Sequence, residues 1–258
     1  MGSPSLVESQ APKELIFLKN RSKALSRPGT RLRTVSHIFW ICLAAICAYE
    51  IVILAQVVRL RRRNPDMTAF IDLRRQEVTS RGGSFHPAII WVPYDSISPQ
   101  LRSTIVNQED PQFWRHPGFD ARAIWRATKV DWKAGRLLQG GSTIDQQLAK
   151  NLFLSPAKNP LRKVQEIIVA LEMEKFLSKR RIMEIYLNVI EWGDGIYGIE
   201  AASQHYFGKS ANLLDAEQAA YLTAIVPGPR GQFNPVEYPE RVATRAKVIM
   251  EDLRRGGH

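Results

Sequence analysis

A long apolar stretch near the N-terminus constrains this chain more than any other feature. From Thr34 to Val58 the sequence is almost continuously apolar, and Arg33 and Arg59 bound it. A helix of this length crosses a hydrocarbon core of about 30 Å. We therefore predict one transmembrane helix over residues 34–58. A cleaved signal peptide is the alternative, although the stretch is long for one and lacks a clear Ala-x-Ala cleavage site.

The segments that flank this span suggest how the rest of the chain is divided. Residues 1–33 are polar, basic and rich in Ser and Pro, which is typical of a flexible tail. Residues 59–87 are charged and only weakly periodic, so we predict a juxtamembrane linker there. Residues 88–258 suffice for one globular domain. Both cysteines, Cys42 and Cys47, lie in the span, so this domain can form no internal disulfide.

Basic residues on the two sides of the span predict its orientation. More of them precede the span than follow it, and the side with more Lys and Arg usually stays in the cytoplasm. We therefore predict a cytoplasmic tail and an external globular domain. The residues before the span are Lys13, Lys19, Arg21, Lys23, Arg27, Arg31 and Arg33; those after it are Arg59, Arg61, Arg62 and Arg63.

The formal net charge of +11 indicates an anionic partner. Nucleic acid, anionic lipid headgroups and a pyrophosphate held at a membrane all fit this charge. The sequence contains no helix-turn-helix, zinc or RNA-binding signature, and a membrane anchor favours the two membrane-bound partners. We therefore predict no nucleic-acid partner.

Hydrophobic periodicity predicts a mainly α-helical domain. Ser98 followed by Pro99 is typical of a helix start, and Asp215 with Gln218 is typical of another. The run Ala88–Pro93 predicts a short strand or extended segment. Two further stretches place their apolar residues on one helical face, which predicts helices packed by those faces. These faces are Leu161, Val164, Ile168 and Leu171, and, after Ser178, Ile182, Ile185, Tyr186 and Val189.

The segment from Gly140 to Asn151 places polar side chains where a helix begins. Its two glycines allow close approach of the backbone to a ligand, and Ser142 or Thr143 can cap the helix. A helix start presents free N–H groups to an anion. Spacing of four residues pairs Gln146 with Lys150 and Gln147 with Asn151 on neighbouring ridges. This pattern predicts an anion and sugar site; an ordinary capped surface helix is the alternative.

Three more segments accompany this one, and all four together resemble a known family. They are Glu109–Phe119 (EDPQFWRHPGF), Arg162–Glu166 (RKVQE) and Ile182–Asn188 (IMEIYLN). In this order they resemble the peptidoglycan glycosyltransferases of glycosyltransferase family 51. That family polymerises the lipid-linked disaccharide precursor of the bacterial cell wall. The resemblance runs from about Asn107 to Pro229.

The resemblance implies a fold, a reaction and a place in the cell. The implied fold is a lysozyme-like α-rich lobe with a smaller, membrane-associated lobe. The implied reaction joins lipid II into β-1,4-linked glycan strands and releases undecaprenyl pyrophosphate. The enzyme would sit in the bacterial cytoplasmic (inner) membrane with its catalytic domain on the periplasmic side. Its partners would be lipid II, the growing lipid-linked glycan chain, membrane lipids and cell-division or elongation proteins.

The resemblance also implies roles for individual residues. Glu109 would accept the proton of the attacking 4-hydroxyl, and Glu166 would lie near the leaving group or position the donor. Cations would hold the pyrophosphate: Lys150, Lys158, Arg162 and Lys163, where Lys158 replaces an arginine common in the family. The other expected substrate-binding residues are Asp110, Phe113, His116, Gly118, Ser142, Thr143, Gln146, Gln147 and Asn151.

We expect a metal ion only where it would be bound by the substrate. No second histidine lies at ligand spacing from His116, so we predict no metal centre built by the protein. The resemblance allows a divalent cation, Mg²⁺ or Mn²⁺, to bridge the pyrophosphate. Asp110 and Asp194 alone do not make a site for it.

Two other function classes stay open at this stage. A lysozyme-type glycan-cleaving enzyme would also use glutamates on an α-rich fold. The cluster of cations argues against it, because a hydrolase has no pyrophosphate to hold. A non-enzymatic membrane scaffold would keep the fold without turnover, and the presence of both Glu109 and Glu166 argues against that.

One motif in the chain matches a different enzyme. Ser155-Pro156-Ala157-Lys158 fits the Ser-x-x-Lys pattern of penicillin-binding transpeptidases. The chain contains no Lys-Thr-Gly, and too few residues remain for such a domain. We expect no transpeptidase activity and no covalent penicillin adduct. Labelling of Ser155 by a fluorescent penicillin, read by gel and mass spectrometry, would contradict this.

Overall fold

The computed structural model describes residues 28–123, 125, 141–154 and 160–255. The chain divides into two compact units, Met1–Val52 and Ile53–His258. Residues 1–27 of the expected tail, Gly140, and the segment with Ser155 and Lys158 lie outside the described residues.

The first helix, α1 (Pro28–Leu60), contains the predicted membrane span. Its segment Arg33–Leu60 is long and apolar enough to cross a membrane, with a mean hydropathy of 2.4. Large apolar side chains such as Phe39 and Trp40 are exposed along it. Among the residues that the structure describes, the predicted apolar N-terminal helix is therefore confirmed in length and composition.

Helices dominate the second unit, as the periodicity predicted. In chain order they are α2 (Ala69–Ser80), α3 (Pro99–Glu109), α4 (Ile144–Phe153), α5 (Pro160–Phe176), α6 (Lys179–Val189), α7 (Ile199–Phe207), α8 (Ala216–Ile225) and α9 (Pro239–Arg255). Short 3₁₀ turns lie at Tyr94–Ser96 and Ala211–Leu213. The packing of α4 against α5, α6 and α2, and of α8 against α3 and α9, forms the core.

Three helix starts agree with the sequence. The Ser178 hydroxyl accepts the Arg181 N–H before α6, and Asp215 forms a capping box with Gln218 before α8. Helix α3 begins at Pro99 as predicted, but the Ser98 hydroxyl does not cap it. That hydroxyl instead donates to the Leu214 carbonyl at 2.7 Å, which ties α3 to the segment before α8.

The apolar face predicted for α5 lies on the outside of the protein. Leu161 is 82% exposed and Val164 is 55% exposed, and Ile168 and Leu171 are exposed as well. The opposite face of α5 packs into the core through Glu166, Val169, Ala170 and Met173. The prediction was wrong because the helix has apolar residues on two faces, and periodicity does not tell which one is buried. The face predicted for α6 is buried as expected.

The segment predicted as a linker contains an ordered helix. The Thr68 hydroxyl caps α2 by accepting the Ile71 N–H at 3.1 Å, and the Ile71 side chain is buried. Ile71 is the one fully buried side chain of α2, so the sequence pattern of this helix gave little sign of a packed face. Helix α2 contacts α4, so this segment is packed into the second unit.

A small three-stranded sheet packs against α7, and one of its strands also contacts α8. Strand β1 (Ala88–Ile89) pairs in parallel with β3 (Ile196–Tyr197), and β2 (Glu191–Gly193) pairs antiparallel with β3. The fully buried Asn188 fastens the segment after β1 to α6. Its Oδ1 accepts the Val92 N–H at 2.9 Å, and its Nδ2 donates to the Val92 carbonyl at 2.8 Å.

Replacing Asn188 with alanine should destabilise the protein. The substitution leaves the N–H and C=O of Val92 without their partner in a partly buried place. We expect the free energy of unfolding to fall by about 2–4 kcal/mol. Thermal unfolding in detergent measures this, with the exposed Asn212→Ala as the matched control. Equal melting temperatures for Asn188→Ala and the control would contradict the role of Asn188.

Candidate active site

The carboxylate of Glu109 lies at the end of α3, beside α4. The Gln147 side chain on α4 donates from Nε2 to Glu109 Oε2 at 3.0 Å. Burial raises the pKa of Glu109, while the Gln147 hydrogen bond and the positive charge of Arg245 oppose that rise. A carboxyl group with a raised pKa is a better proton acceptor when ionised, as a general base requires.

Asp110 joins the loop after α3 to the first turn of α4. Its Oδ2 accepts the Ile144 N–H at 3.0 Å and lies 2.8 Å from His116 Nε2. His116 Nδ1 accepts the Gly118 N–H at 3.1 Å, so the ring proton sits on Nε2 and is donated to Asp110. Only 4% of the Asp110 side chain and 7% of the His116 side chain are exposed. These two residues therefore orient the loop, and their expected part in substrate binding stays a prediction.

Helix α4 begins with a capping box. The Thr143 hydroxyl accepts the Gln146 N–H, and Gln146 Oε1 accepts the Thr143 N–H at 3.0 Å. The same hydroxyl donates to the Gly118 carbonyl at 2.7 Å. Gly118 has φ +92°, and a Cβ there would come within 2.9 Å of the Ala170 carbonyl oxygen, so only glycine fits this contact.

Glu166 lies between two cations on α5. Arg162 pairs with one oxygen of the carboxylate, and Lys163 Nζ donates to the other at 2.8 Å. Lys163 Nζ also donates to the Ser142 hydroxyl at 2.8 Å, which links α5 to the segment before α4. The Glu166 carboxylate is 3% exposed and neutralised on both oxygens. It therefore positions Arg162 and Lys163.

Lys150 and Asn151 lie one turn further along α4. Lys150 Nζ is 5.5 Å from the centre of the Phe70 ring on α2, a cation–π contact that orients the ammonium. Asn151 Nδ2 donates to the Gln147 carbonyl at 2.8 Å. Helix α4 thus presents its amide and ammonium groups on the side where Glu109 lies.

The structure separates the predicted substrate-binding residues into two groups. Those with accessible side chains are Glu109, Ser142, Gln147, Lys150, Asn151, Arg162 and Lys163. Those that are buried, or whose polar atoms are turned inward, are Asp110, Phe113, His116, Gly118, Thr143 and Gln146. Gln146 is fully buried and its Oε1 accepts the Thr143 N–H in the capping box, so its expected contact with substrate stays a prediction. Phe113 is likewise fully buried and packs beneath the Lys179 ammonium.

A buried cluster of charged groups lies behind the start of α4. Ligand atoms of Asp110, His116 and Asp145 are within 4.8 Å of one another, close enough to consider a metal ion. However, Lys179 Nζ is 3.4 Å from Asp145 Oδ2, and His116 Nε2 is already paired with Asp110. The cluster therefore suits an internal ion-pair network better than a metal. Burial, together with a hydrogen bond to Glu174, raises the pKa of Asp145 to about 8.

Two residues near Glu109 were missed or misjudged from the sequence. Arg245 belongs to α9, beyond the motif region, and its charge acts on Glu109. The Arg245 guanidinium stacks 5.1 Å from the Phe233 ring centre. Tyr186 was predicted only as an apolar packing residue, yet its hydroxyl donates to Gln147 Oε1 at 2.8 Å. A polar tip on a residue of an otherwise apolar face is the signal that could have revealed it.

Comparison with known proteins adds a family match over most of the chain. The family described as Transglycosylase matches residues 76–254, from α2 to the end of α9. The match therefore includes both Arg245 and the segment before the first recognised motif.

Several curated relatives share the name biosynthetic peptidoglycan transglycosylase. One from Nitrosospira multiformis is 48% identical over 193 residues, which cover 75% of this chain and 84% of the relative. One from Nitrosomonas eutropha is 43% identical over 211 residues, covering 82% and 86%. One from Aromatoleum aromaticum is 41% identical over 223 residues, covering 85% and 95%.

Replacing Glu109 with glutamine should stabilise the protein at neutral pH. A folded-state pKa above the unfolded value means that stability from this group is present at low pH and is lost as pH rises through the folded pKa. The variant has no charge there to desolvate. We expect its melting temperature to exceed that of the wild type increasingly as pH rises from acidic to neutral. A difference that is constant with pH, or that shrinks, would contradict the raised pKa.

Proposed function

This chain belongs to the transglycosylase family and is an enzyme of peptidoglycan glycan-chain polymerisation; from its site we propose that the substrate is lipid II and that undecaprenyl pyrophosphate is released. The observation that carries the proposal is that the site contains two carboxylates in different surroundings. Glu109 is partly buried with a raised pKa, whereas Glu166 is fully neutralised by Arg162 and Lys163. Transfer of a glycosyl group from a pyrophosphate needs one base and one set of cations.

Glu109 acts as the general base in this proposal. It takes the proton of the 4-hydroxyl of the acceptor sugar as that oxygen bonds to the anomeric carbon of the donor. The bond from the anomeric carbon to the phosphate oxygen breaks, and its electron pair leaves with the pyrophosphate. Attack opposite the leaving group converts an α-linked donor into a β-1,4 link. The hydrogen bond from Gln147 holds Glu109 in place for this step.

Cations on α4 and α5 would hold the leaving pyrophosphate. Arg162 and Lys163 are fixed by Glu166, and Lys150 is oriented by Phe70. Positive charge that is already in place costs no reorganisation when negative charge develops, and it can supply several kcal/mol to the transition state. Lys158, which lies outside the described residues, stays a predicted member of this set.

A divalent cation at the pyrophosphate fits these residues poorly. Mg²⁺ and Mn²⁺ prefer carboxylate and water oxygens. Both oxygens of Glu166 already face the positive charges of Arg162 and Lys163, which would repel a cation bound to this carboxylate. We therefore assign the charge compensation to the side chains and derive no step through a metal ion.

Polymerisation of purified lipid II tests the proposal. The full chain, reconstituted in nanodiscs, should make glycan polymer and release undecaprenyl pyrophosphate, which mass spectrometry detects. Glu109→Gln should reduce the rate by roughly 10²–10⁴-fold, because the base is lost. The matched control is Glu217→Gln, an exposed glutamate on α8, which should leave the rate unchanged.

Each other outcome rejects a defined part of the proposal. A folded wild type that makes no polymer rejects lipid II as the substrate. Polymer from Glu109→Gln at the control rate rejects Glu109 as the base. Release of muropeptides from purified cell wall, without polymer from lipid II, would identify a glycan-cleaving enzyme instead.

The exposed apolar stripe of α5 supports contact with the membrane surface. Leu161, Val164, Ile168 and Leu171 form the stripe, and Lys175 follows one turn later on the same face. An apolar face that ends in lysine is typical of a helix at a lipid interface, where the ammonium reaches the headgroups. The inner face of α5 carries Glu166. A lipid-linked substrate would thus meet the site close to the lipid surface.

Spin labels distinguish a lipid-facing stripe from a solvent-facing one. We expect a nitroxide on Ile168→Cys, in a Cys42→Ser and Cys47→Ser background in nanodiscs, to be relaxed more by oxygen than by a water-soluble nickel chelate. The matched control is Glu217→Cys, which should show the reverse order. Equal behaviour of the two labels would reject membrane contact by α5.

The proposed location is the cytoplasmic membrane, with the catalytic unit on the external side. The excess of basic residues before the span supports this orientation. An impermeant maleimide should therefore label Glu217→Cys in intact spheroplasts. Labelling that occurs only after lysis would show the opposite orientation. Association with cell-division or elongation proteins stays a prediction from the resemblance.

A further inference from the structure

We propose that Tyr186 is a positioning residue for polymerisation: its hydroxyl fixes the Gln147 amide in the orientation that donates a hydrogen bond to Glu109. The proposal deepens the function given above and rests on Glu109 being the base. Tyr186 itself touches neither substrate nor the reacting atoms.

The contacts form a continuous chain across three helices. Tyr186 on α6 is fully buried, and its hydroxyl donates to Gln147 Oε1 at 2.8 Å. Gln147 on α4 donates from Nε2 to Glu109 Oε2 at 3.0 Å. Glu109 ends α3. The hydroxyl of a core residue is thus linked through one amide to the proposed base.

Hydrogen-bond chemistry allows this chain to run in only one direction. An ionised carboxylate accepts and cannot donate, so the NH₂ group of Gln147 must face Glu109. The amide oxygen then faces Tyr186, whose hydroxyl must donate. Removal of that hydroxyl leaves the Gln147 amide group free to rotate by half a turn. A turned amide would place its oxygen against the carboxylate, where the two acceptors repel each other.

The phenol keeps its proton over the whole working range of pH. Burial, and then the charges of Glu109 and Asp110, raise the pKa of Tyr186 well above its ordinary value. The hydroxyl is therefore a constant donor. Around Glu109, burial raises the carboxyl pKa, the Gln147 bond and the Arg245 charge lower it, and the Asp110 charge raises it slightly. Of these influences, the Gln147 bond is the one that Tyr186 controls.

The arrangement also gives the two oxygens of Glu109 different roles. Gln147 occupies Oε2, so Oε1 is the atom that takes the proton of the acceptor hydroxyl. Loss of the Tyr186 hydroxyl would loosen this assignment and raise the Glu109 pKa. The proposal therefore predicts effects on both rate and pH dependence.

The decisive variant is Tyr186→Phe, which removes one oxygen and keeps the ring. The measurement is kcat/KM for lipid II polymerisation by the full chain in nanodiscs across the acidic to alkaline range. We expect the acid limb of the kcat/KM profile to shift to higher pH by about 0.5–1 unit. At pH values below this limb, kcat/KM should fall about three- to tenfold, and at alkaline pH it should equal that of the wild type. The matched control is Tyr206→Phe on α7, whose hydroxyl donates to the Trp192 carbonyl at 2.9 Å.

A double-mutant cycle shows whether Tyr186 acts through Gln147. Gln147→Leu should raise the acid limb at least as much as Tyr186→Phe does. Adding Tyr186→Phe to Gln147→Leu should then change kcat/KM by less than about twofold. Because Gln147→Leu leaves Tyr186 in place, it tests the chain even if Tyr186→Phe does not fold.

Four results would overturn the inference. They are a Tyr186→Phe profile equal to the wild type, an equal shift in Tyr206→Phe, effects that multiply in the double variant, and an unshifted acid limb in Gln147→Leu. Failure of the proposed function looks different. In that case the wild type makes no polymer, or Glu109→Gln retains full activity.

Discussion

The hydrogen bond from the Ile144 N–H to Asp110 holds the end of α3 against the beginning of α4, and the candidate site depends on it. His116 donates to the same carboxylate, and the Thr143 hydroxyl donates to the Gly118 carbonyl, so residues 110–118 are tied to the start of α4. Only because this junction is fixed does Glu109 come within hydrogen-bond distance of Gln147. The buried residues Asp110 and His116 therefore hold the accessible Glu109 in position.

The two glutamates differ because their surroundings differ. Glu109 is partly buried, and burial outweighs the Gln147 hydrogen bond and the Arg245 charge, so its ionised form is poorly compensated. Glu166 is buried between a guanidinium and an ammonium, so its negative charge serves to hold those cations. Burial thus raises the pKa of Glu109, as suits a proton acceptor, whereas Glu166 holds the two cations in place. This division fits the proposed reaction. In it, one group takes a proton from the acceptor hydroxyl, and cations stabilise the pyrophosphate that leaves the donor.

Local patterns in the sequence predicted most helices, whereas the environment of each side chain required the structure. The caps at Ser178 and Asp215 depend on residues within one turn, so they could be recognised directly. Helix α5 could not be oriented from its sequence, because the face that carries Glu166 is buried while the more apolar face is exposed. Gln146 and Gln147 are neighbours with the same chemistry, yet one caps α4 and the other meets Glu109. That distinction depends on contacts between helices distant in sequence.

A direct titration of Glu109 tests the account most closely. Isotope-edited infrared or ¹³C NMR difference spectra between wild type and Glu109→Gln would follow this one carboxyl group in the full chain in nanodiscs. We expect a pKa above the ordinary value for glutamate, because burial outweighs the opposing influences of Gln147 and Arg245. A pKa at or below the ordinary value would contradict it, because Glu109 would then be a well-compensated carboxylate, poorly suited to act as the base.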